Sequence, residues 1–208
     1  MEAEESLRSE DVREFWFGGA DPNDADLEER IDFWFAAGPD VDAEIVRRFG
    51  VAVRSALSGQ LDSWRISPPG CLALVILLDQ FPRNIHRGKP EAYSGDTKAC
   101  GLSLDAIDRE ADRALSVLER AFLYMPLQHA EDGDVQRRSV DMFKALRDER
   151  SGRLRTCMQR VLASARTHRD IIQRFGRFPH RNEILGRECT REEIEFLRAP
   201  AAPFRSKC

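Results

Sequence analysis

No stretch of this 208-residue chain is apolar for the roughly 18 residues that a helix needs to cross a bilayer. The longest run, Cys71 to Leu78, is ended by Asp79. The N-terminus reads Met-Glu-Ala-Glu-Glu and lacks the positive start of a secretory signal. The expectation is a soluble, cytoplasmic protein with no membrane partner. Five scattered cysteines (Cys71, Cys100, Cys157, Cys189 and Cys208) contain no Cys-x-x-Cys pair. A metal ribbon and a disulfide framework are therefore not expected, and reduced thiols fit best. There is no Gly-rich phosphate loop, no Gly-x-Ser-x-Gly and no His-Glu-x-x-His. Neither a cofactor nor a resident metal is implied. His129 and Glu131 with His168 or His180 could gather an ion, but their spacing is not diagnostic of one. Alternating strand patterns of useful length are missing as well, which argues against a significant β-sheet.

Lysine is scarce, with four residues against 28 arginines. Arginine suits planar, bidentate contacts to carboxylate or phosphate. Charge is also unevenly placed: residues 1–44 carry 15 acids and three arginines, a net of −12, so the rest carries +8 to reach the total of −4. From Arg160 to Arg191, eight arginines face Asp170, Glu183 and Glu188. The acidic N-terminal part and the negative total disfavour nucleic acid. The simpler reading is base composition with internal pairing of the two halves.

What is present is helical periodicity. One stripe is Val41, Ile45, Phe49, Ala52 or Val53, and Ala56; another is Ala99, Leu102, Ala106 and Ile107. Val135, Ser139, Met142, Phe143 and Leu146 follow. The longest stripe is Leu154, Met158, Val161, Ala165, His168, Ile172 and Phe175. The run Cys71–Leu78 could be a buried strand by periodicity alone. Its leucines and the helix-opening Pro68-Pro69 predict a central buried helix instead. Pro82 and Pro179 read as lying just past helix ends, and Thr190 with Glu193 as a capping box. The expectation is one all-helical domain over residues 10–204, or two closely packed helical halves, with 1–9 and 205–208 as flexible ends.

Polar candidates gather in three groups. The first includes Asp79, Gln80, Arg83 and Asn84. The second is His129, Glu131, Asp132 and Gln136. The third includes His168, Arg177, His180, Arg181, Asn182 and Arg187. If helix runs unbroken past Pro126, the spacing puts His129, Asp132 and Gln136 on one face. His168 lies on an apolar stripe, where a histidine is more often a hydrogen-bonded core residue than a functional one. A proline stop, an arginine on C-terminal carbonyls and an asparagine cap explain each residue type of the Phe-Pro segments. They explain less well so many arginines together, which repel and need an anion.

The segments Phe15-Trp16-Phe17-Gly18, Trp34-Phe35, Leu77 to Asn84, Phe122 to Asp132 and Arg174 to Asn182 resemble one bacterial family, that of domain of unknown function 924. The resemblance runs from about residue 10 to about residue 204. It implies an all-α fold of antiparallel helix pairs in a superhelix similar to tetratricopeptide-repeat proteins, and no established activity. This chain departs from the family pattern at Ala130 and Cys189, where serines are expected. Serine chemistry is therefore not the favoured reading. Two functions compete. One is a pocket for a small anionic ligand, possessing His129, Glu131 and His180 as an acid/base set. Its ligand-binding residues would be Asp79, Gln80, Arg83, Asn84, Asp132, Gln136, His168, Arg177, Arg181 and Asn182. The other is a helical scaffold that binds a protein or peptide.

Overall fold

A computed structural model describes residues 7–18, 27–35 and 38–200. The expected flexible ends lie outside the described residues except for 7–9, where Ser9 opens the first helix. The described residues are all-α, without a strand. None of their helices is long and apolar enough to cross a membrane. The chain divides into two compact units. Unit 1 comprises Met1–Arg87 with Ala92–Pro126, and unit 2 comprises Gly88–Glu91 with Leu127–Cys208.

The middle of unit 1 is a buried helical rod. It starts as α4 (Pro68–Val75), passes through one π-helical turn at Ile76–Gln80 and ends as α5 (Phe81–Ile85). The Ser67 side chain accepts from Gly70 N–H, and the two prolines fill the first turn, where missing donors cost nothing. Leu72 through Leu78 and Phe81 have no exposed surface, so the central-helix expectation holds. Each buried leucine, valine, isoleucine or phenylalanine among them stabilises the fold by about 1.5–3 kcal/mol. Around the rod lie α1 (Ser9–Phe17), α3 (Pro39–Leu57) and α6 (Asp96–Asp108). The predicted α3 stripe is buried at Ile45, Phe49, Ala52, Val53 and Ala56. Aromatic edges join these elements: Phe15–Phe49 at 5.0 Å, Trp16–Phe81 at 5.5 Å and Phe49–Phe81 at 4.9 Å. The indole of Trp34, in α2 (Leu27–Phe35), donates to Trp16 O at 2.8 Å.

Pro82 does not end this helix as expected. A proline removes one amide donor and crowds the carbonyl four residues back, here Leu78. The chain answers by widening one turn, so that Phe81 N–H reaches Ile76 O. Gly95 packs against the same Leu78 carbonyl: a Cβ there would lie 2.1 Å from its oxygen. A residue with no side chain is thus needed beside the widened turn.

Unit 2 holds the end of α7 (Val117–His129), then α8 (Gly133–Asp148), α9 (Gly152–Phe175) and α10 (Arg191–Arg198). The short connection makes α8 and α9 an antiparallel pair. The buried face of α9 is Met158, Leu162, Ala165, His168, Ile171 and Ile172, close to the predicted stripe. Gly176 closes α9 at φ +69, a left-handed cap. Beyond it Phe178 is fully buried against Ile171 and Ile172. The predicted capping box is present: Thr190 Oγ1 accepts from Glu193 N–H at 3.2 Å, and Glu193 accepts from Thr190 N–H at 2.7 Å. Cys71, Cys100 and Cys157 are free thiols, as expected.

Candidate functional site

The first candidate group, in unit 1, forms an ion-pair lattice. Asp79 is fully buried in the π-turn, and Gln80 donates to its carboxylate. One turn on, Arg83 reaches the main-chain oxygen of Asp79 at 2.5 Å and its carboxylate at 3.2 Å. The same guanidinium meets Asp96, the first residue of α6, at 2.9 and 3.0 Å. Burial works against the charge of Arg83, but Asp79 and Asp96 outweigh it and hold the group more firmly protonated. Asn84 donates to Asp42 at 2.8 Å, and Arg87 adds two contacts to the same carboxylate at 3.0 and 3.1 Å. Asp79, Gln80, Arg83 and Asn84 thus tie the central rod to α3 and α6.

The second and third groups lie in unit 2. The supposed common face of His129, Asp132 and Gln136 does not form, because α7 passes Pro126 and stops at His129. Asp132 instead caps α8, accepting from the N–H groups of Asp134 and Val135 at 2.9 Å each. Gln136 is buried, and its amide nitrogen donates to the oxygens of Leu127, Gln128 and Ala130 at 3.2, 2.7 and 2.8 Å. The first two are carbonyls left open in the last turn of α7, and Ala130 follows it.

Phe178 is the centre around which the remaining candidates assemble. Its N–H donates to Glu131 at 2.7 Å. Arg187 donates to both Glu131 oxygens, at 2.7 and 3.0 Å, and to Phe178 O at 3.1 Å. Carboxylate and guanidinium together hold both main-chain groups of Phe178. Burial favours the neutral acid at Glu131, but Arg187 and the Phe178 N–H outweigh it, so its pKa lies below the ordinary value. The Phe178 ring meets His168 at 5.4 Å and His180 at 5.6 Å, with the Arg181 guanidinium 4.6 Å above it. The His129 ring lies 6.2 Å from that of His168. Nδ1 of His168 faces Ser164 O at 2.8 Å. A carbonyl oxygen can only accept, so that contact puts a proton on Nδ1. Burial pushes His180 down to about 3, with help from the nearby cations Arg181 and Arg187 and from His168. It is a neutral imidazole at neutral pH.

His129, Glu131, His168, His180 and Arg181 are thus brought together. Arg177 is committed elsewhere: it binds Glu193 through two bonds, at 2.7 and 2.8 Å, and Glu188 O at 2.8 Å. Those bonds from Arg177 are the main reason that Glu193 titrates well below its ordinary range. Asn182 is fully buried, with its amide nitrogen 3.4 Å from Cys189 Sγ. Arg187, a member of the third group of polar candidates, was not among the expected ligand-binding residues, yet it holds Glu131 and Phe178. Its only signal was proximity to the Arg-Asn motif. Among the described residues no group of three His, Cys, Asp or Glu side chains is placed to hold a metal ion.

An all-α chain with a histidine–arginine cluster at a helix-end Phe-Pro turn defines a class more than an activity. The chain belongs to the bacterial family of proteins of unknown function DUF924, whose model matches residues 12–201. It is similar to the solved structure of a protein of unknown function, ATU0120 from Agrobacterium tumefaciens. The two are 38% identical with a TM-score of 0.77, over 91% of this chain and 96% of that one. No curated protein matches.

Proposed function

We propose that the Phe178 cluster of unit 2 binds a small carboxylate or phosphate anion, and that its histidines can move a proton on the bound molecule. The observation that carries this reading is the gathering of three imidazoles and two guanidiniums around Phe178. Guanidiniums give the strong, charge-assisted class of hydrogen bond to such anions. His180 is neutral at neutral pH, so a ring nitrogen can accept a hydrogen bond from the bound molecule, and with a pKa of about 3 it is the weak base of the set. Glu131 and Arg187 then act through position, holding the turn that carries His180 and Arg181. Hydrolysis is the reaction class in keeping with this set.

The test is a thermal-shift screen of phosphorylated and carboxylated metabolites. Binding to the folded state at a hundredfold excess over Kd stabilises by about 2.7 kcal/mol. For a chain of this length that raises Tm by roughly 5–10 °C. Arg181→Ala should remove the shift and leave a folded protein. If no anion in a broad panel moves the wild-type melt, or if Arg181→Ala responds equally, the scaffold reading replaces the pocket.

A further inference from the structure

Unit 1 contains a cavity of about 590 Å³ that no part of the preceding reading uses. One wall is the 3-10 turn Asp62–Ile66, and the other is α6. Two of its cations are matched locally: Lys98 with Asp62 at 2.6 Å, and Arg109 with Asp105 at 2.6 Å. Arg65, exposed on the same lining, has neither an ion pair nor a hydrogen bond among the described residues. Beside it Ile66 is 81% exposed, the most exposed large apolar side chain among the described residues. Leu102 continues the apolar strip on the α6 side.

Gly101 supplies the second, independent observation. It stands in the middle of α6, where glycine weakens a helix relative to alanine. Packing does not require it, because a Cβ there would meet nothing within 4 Å. A helix-interior glycine facing open space in a cavity wall leaves a notch in that wall. A ligand lying against the α6 backbone would fill it.

We infer that this cavity binds a small monocarboxylate with an apolar tail. The carboxylate pairs with Arg65, and the tail lies along Ile66 and Leu102 over the notch at Gly101. The volume falls in the range of small-molecule sites. The single unmatched cation sets the charge of the ligand, and the exposed isoleucine sets its apolar character.

The experiment is calorimetric titration of the whole chain with octanoate and phenylacetate, with octanol and octylammonium as controls. Octanoate should bind, and the octylammonium cation should not. Arg65→Gln should weaken octanoate at least tenfold. Gly101→Leu should raise Tm by about 2–4 °C, because it removes a helix-interior glycine without a clash. It should also weaken octanoate at least tenfold, because the notch is filled. The two opposite effects in one variant separate loss of a site from loss of structure. The inference is overturned if neither carboxylate binds, if octylammonium binds as well as octanoate, or if either variant binds octanoate like the wild type.

Discussion

His180 makes stability depend on pH in a window where few other groups titrate. In the folded chain its pKa is about 3, against an ordinary 6.5. The folded pKa is depressed, so the unfolded chain takes up the proton first as pH falls. Unfolding then binds a proton, and stability declines from about pH 6.5 downwards until the folded state also protonates near pH 3. One unit of pKa is worth about 1.4 kcal/mol, so lowering pH from 7 to 5 should cost roughly 2 kcal/mol through this group. In a chain of this length that is a fall in Tm of about 4–8 °C.

The carboxylates do not confuse this window. Glu131 and Glu193 have folded pKa values below the ordinary 4.5, so their stabilising contribution is present above that value and is lost only as pH falls below it. The assay is urea unfolding at pH 7, 6 and 5 for the wild type and His180→Gln. The variant loses some stability at every pH, so the comparison is of slopes. The wild type should lose roughly 2 kcal/mol more than the variant between pH 7 and 5. Parallel slopes would refute the argument, as would a His180 imidazole that protonates near pH 6 in an NMR titration of the folded chain.

Two further substitutions test the frame that holds the clusters. Gly95→Ala brings a methyl group against the Leu78 carbonyl, and main chain on both sides cannot yield as a side-chain end would. The expected loss is about 1–3 kcal/mol, measured by thermal unfolding, and an unchanged or raised Tm would count against the close approach. Asp132→Ala removes the acceptor for the Asp134 and Val135 amides in the first turn of α8 and should cost about 1 kcal/mol. Hydrogen exchange at Asp134 and Val135 should accelerate in that variant, and unchanged protection there would show that the cap is not held by this side chain.

Much of the frame was legible because it is local. The apolar stripes of α3 and α9, the prolines that open α4 and the Thr190–Glu193 box each depend on residues within a few turns. Pro82 was misread because the same local rule makes a proline an end. Its tolerance depends on a π-turn before it and on Gly95, thirteen residues later. The face shared by His129, Asp132 and Gln136 failed for a related reason. Spacing presumes one helix, whereas Asp132 before Gly133 is a strong place to begin a new one. Arg177 and Arg181 carry equal weight in the sequence, yet their partners differ. Arg177 meets Glu193, sixteen residues on, while Arg181 turns over Phe178. Arg187 reaches back 56 residues to Glu131, a pairing that no motif announces.

The two departures from the expected family serines bear on the proton-transfer reading. At Ala130 the group in use is the main-chain oxygen, which accepts from Gln136 at 2.8 Å and needs no hydroxyl. At Cys189 the sulfur accepts from the Asn182 amide at 3.4 Å. Neither position supplies a ring or a charge to Phe178. The groups around that ring come from the end of α7, the middle of α9 and the Pro179–Arg181 turn. Losing both hydroxyls therefore leaves every group of the proposed acid/base set in its place. A mechanism built on this cluster would use water or the ligand itself as the nucleophile. Its dependence on pH would follow His180 and Glu131 and not a serine.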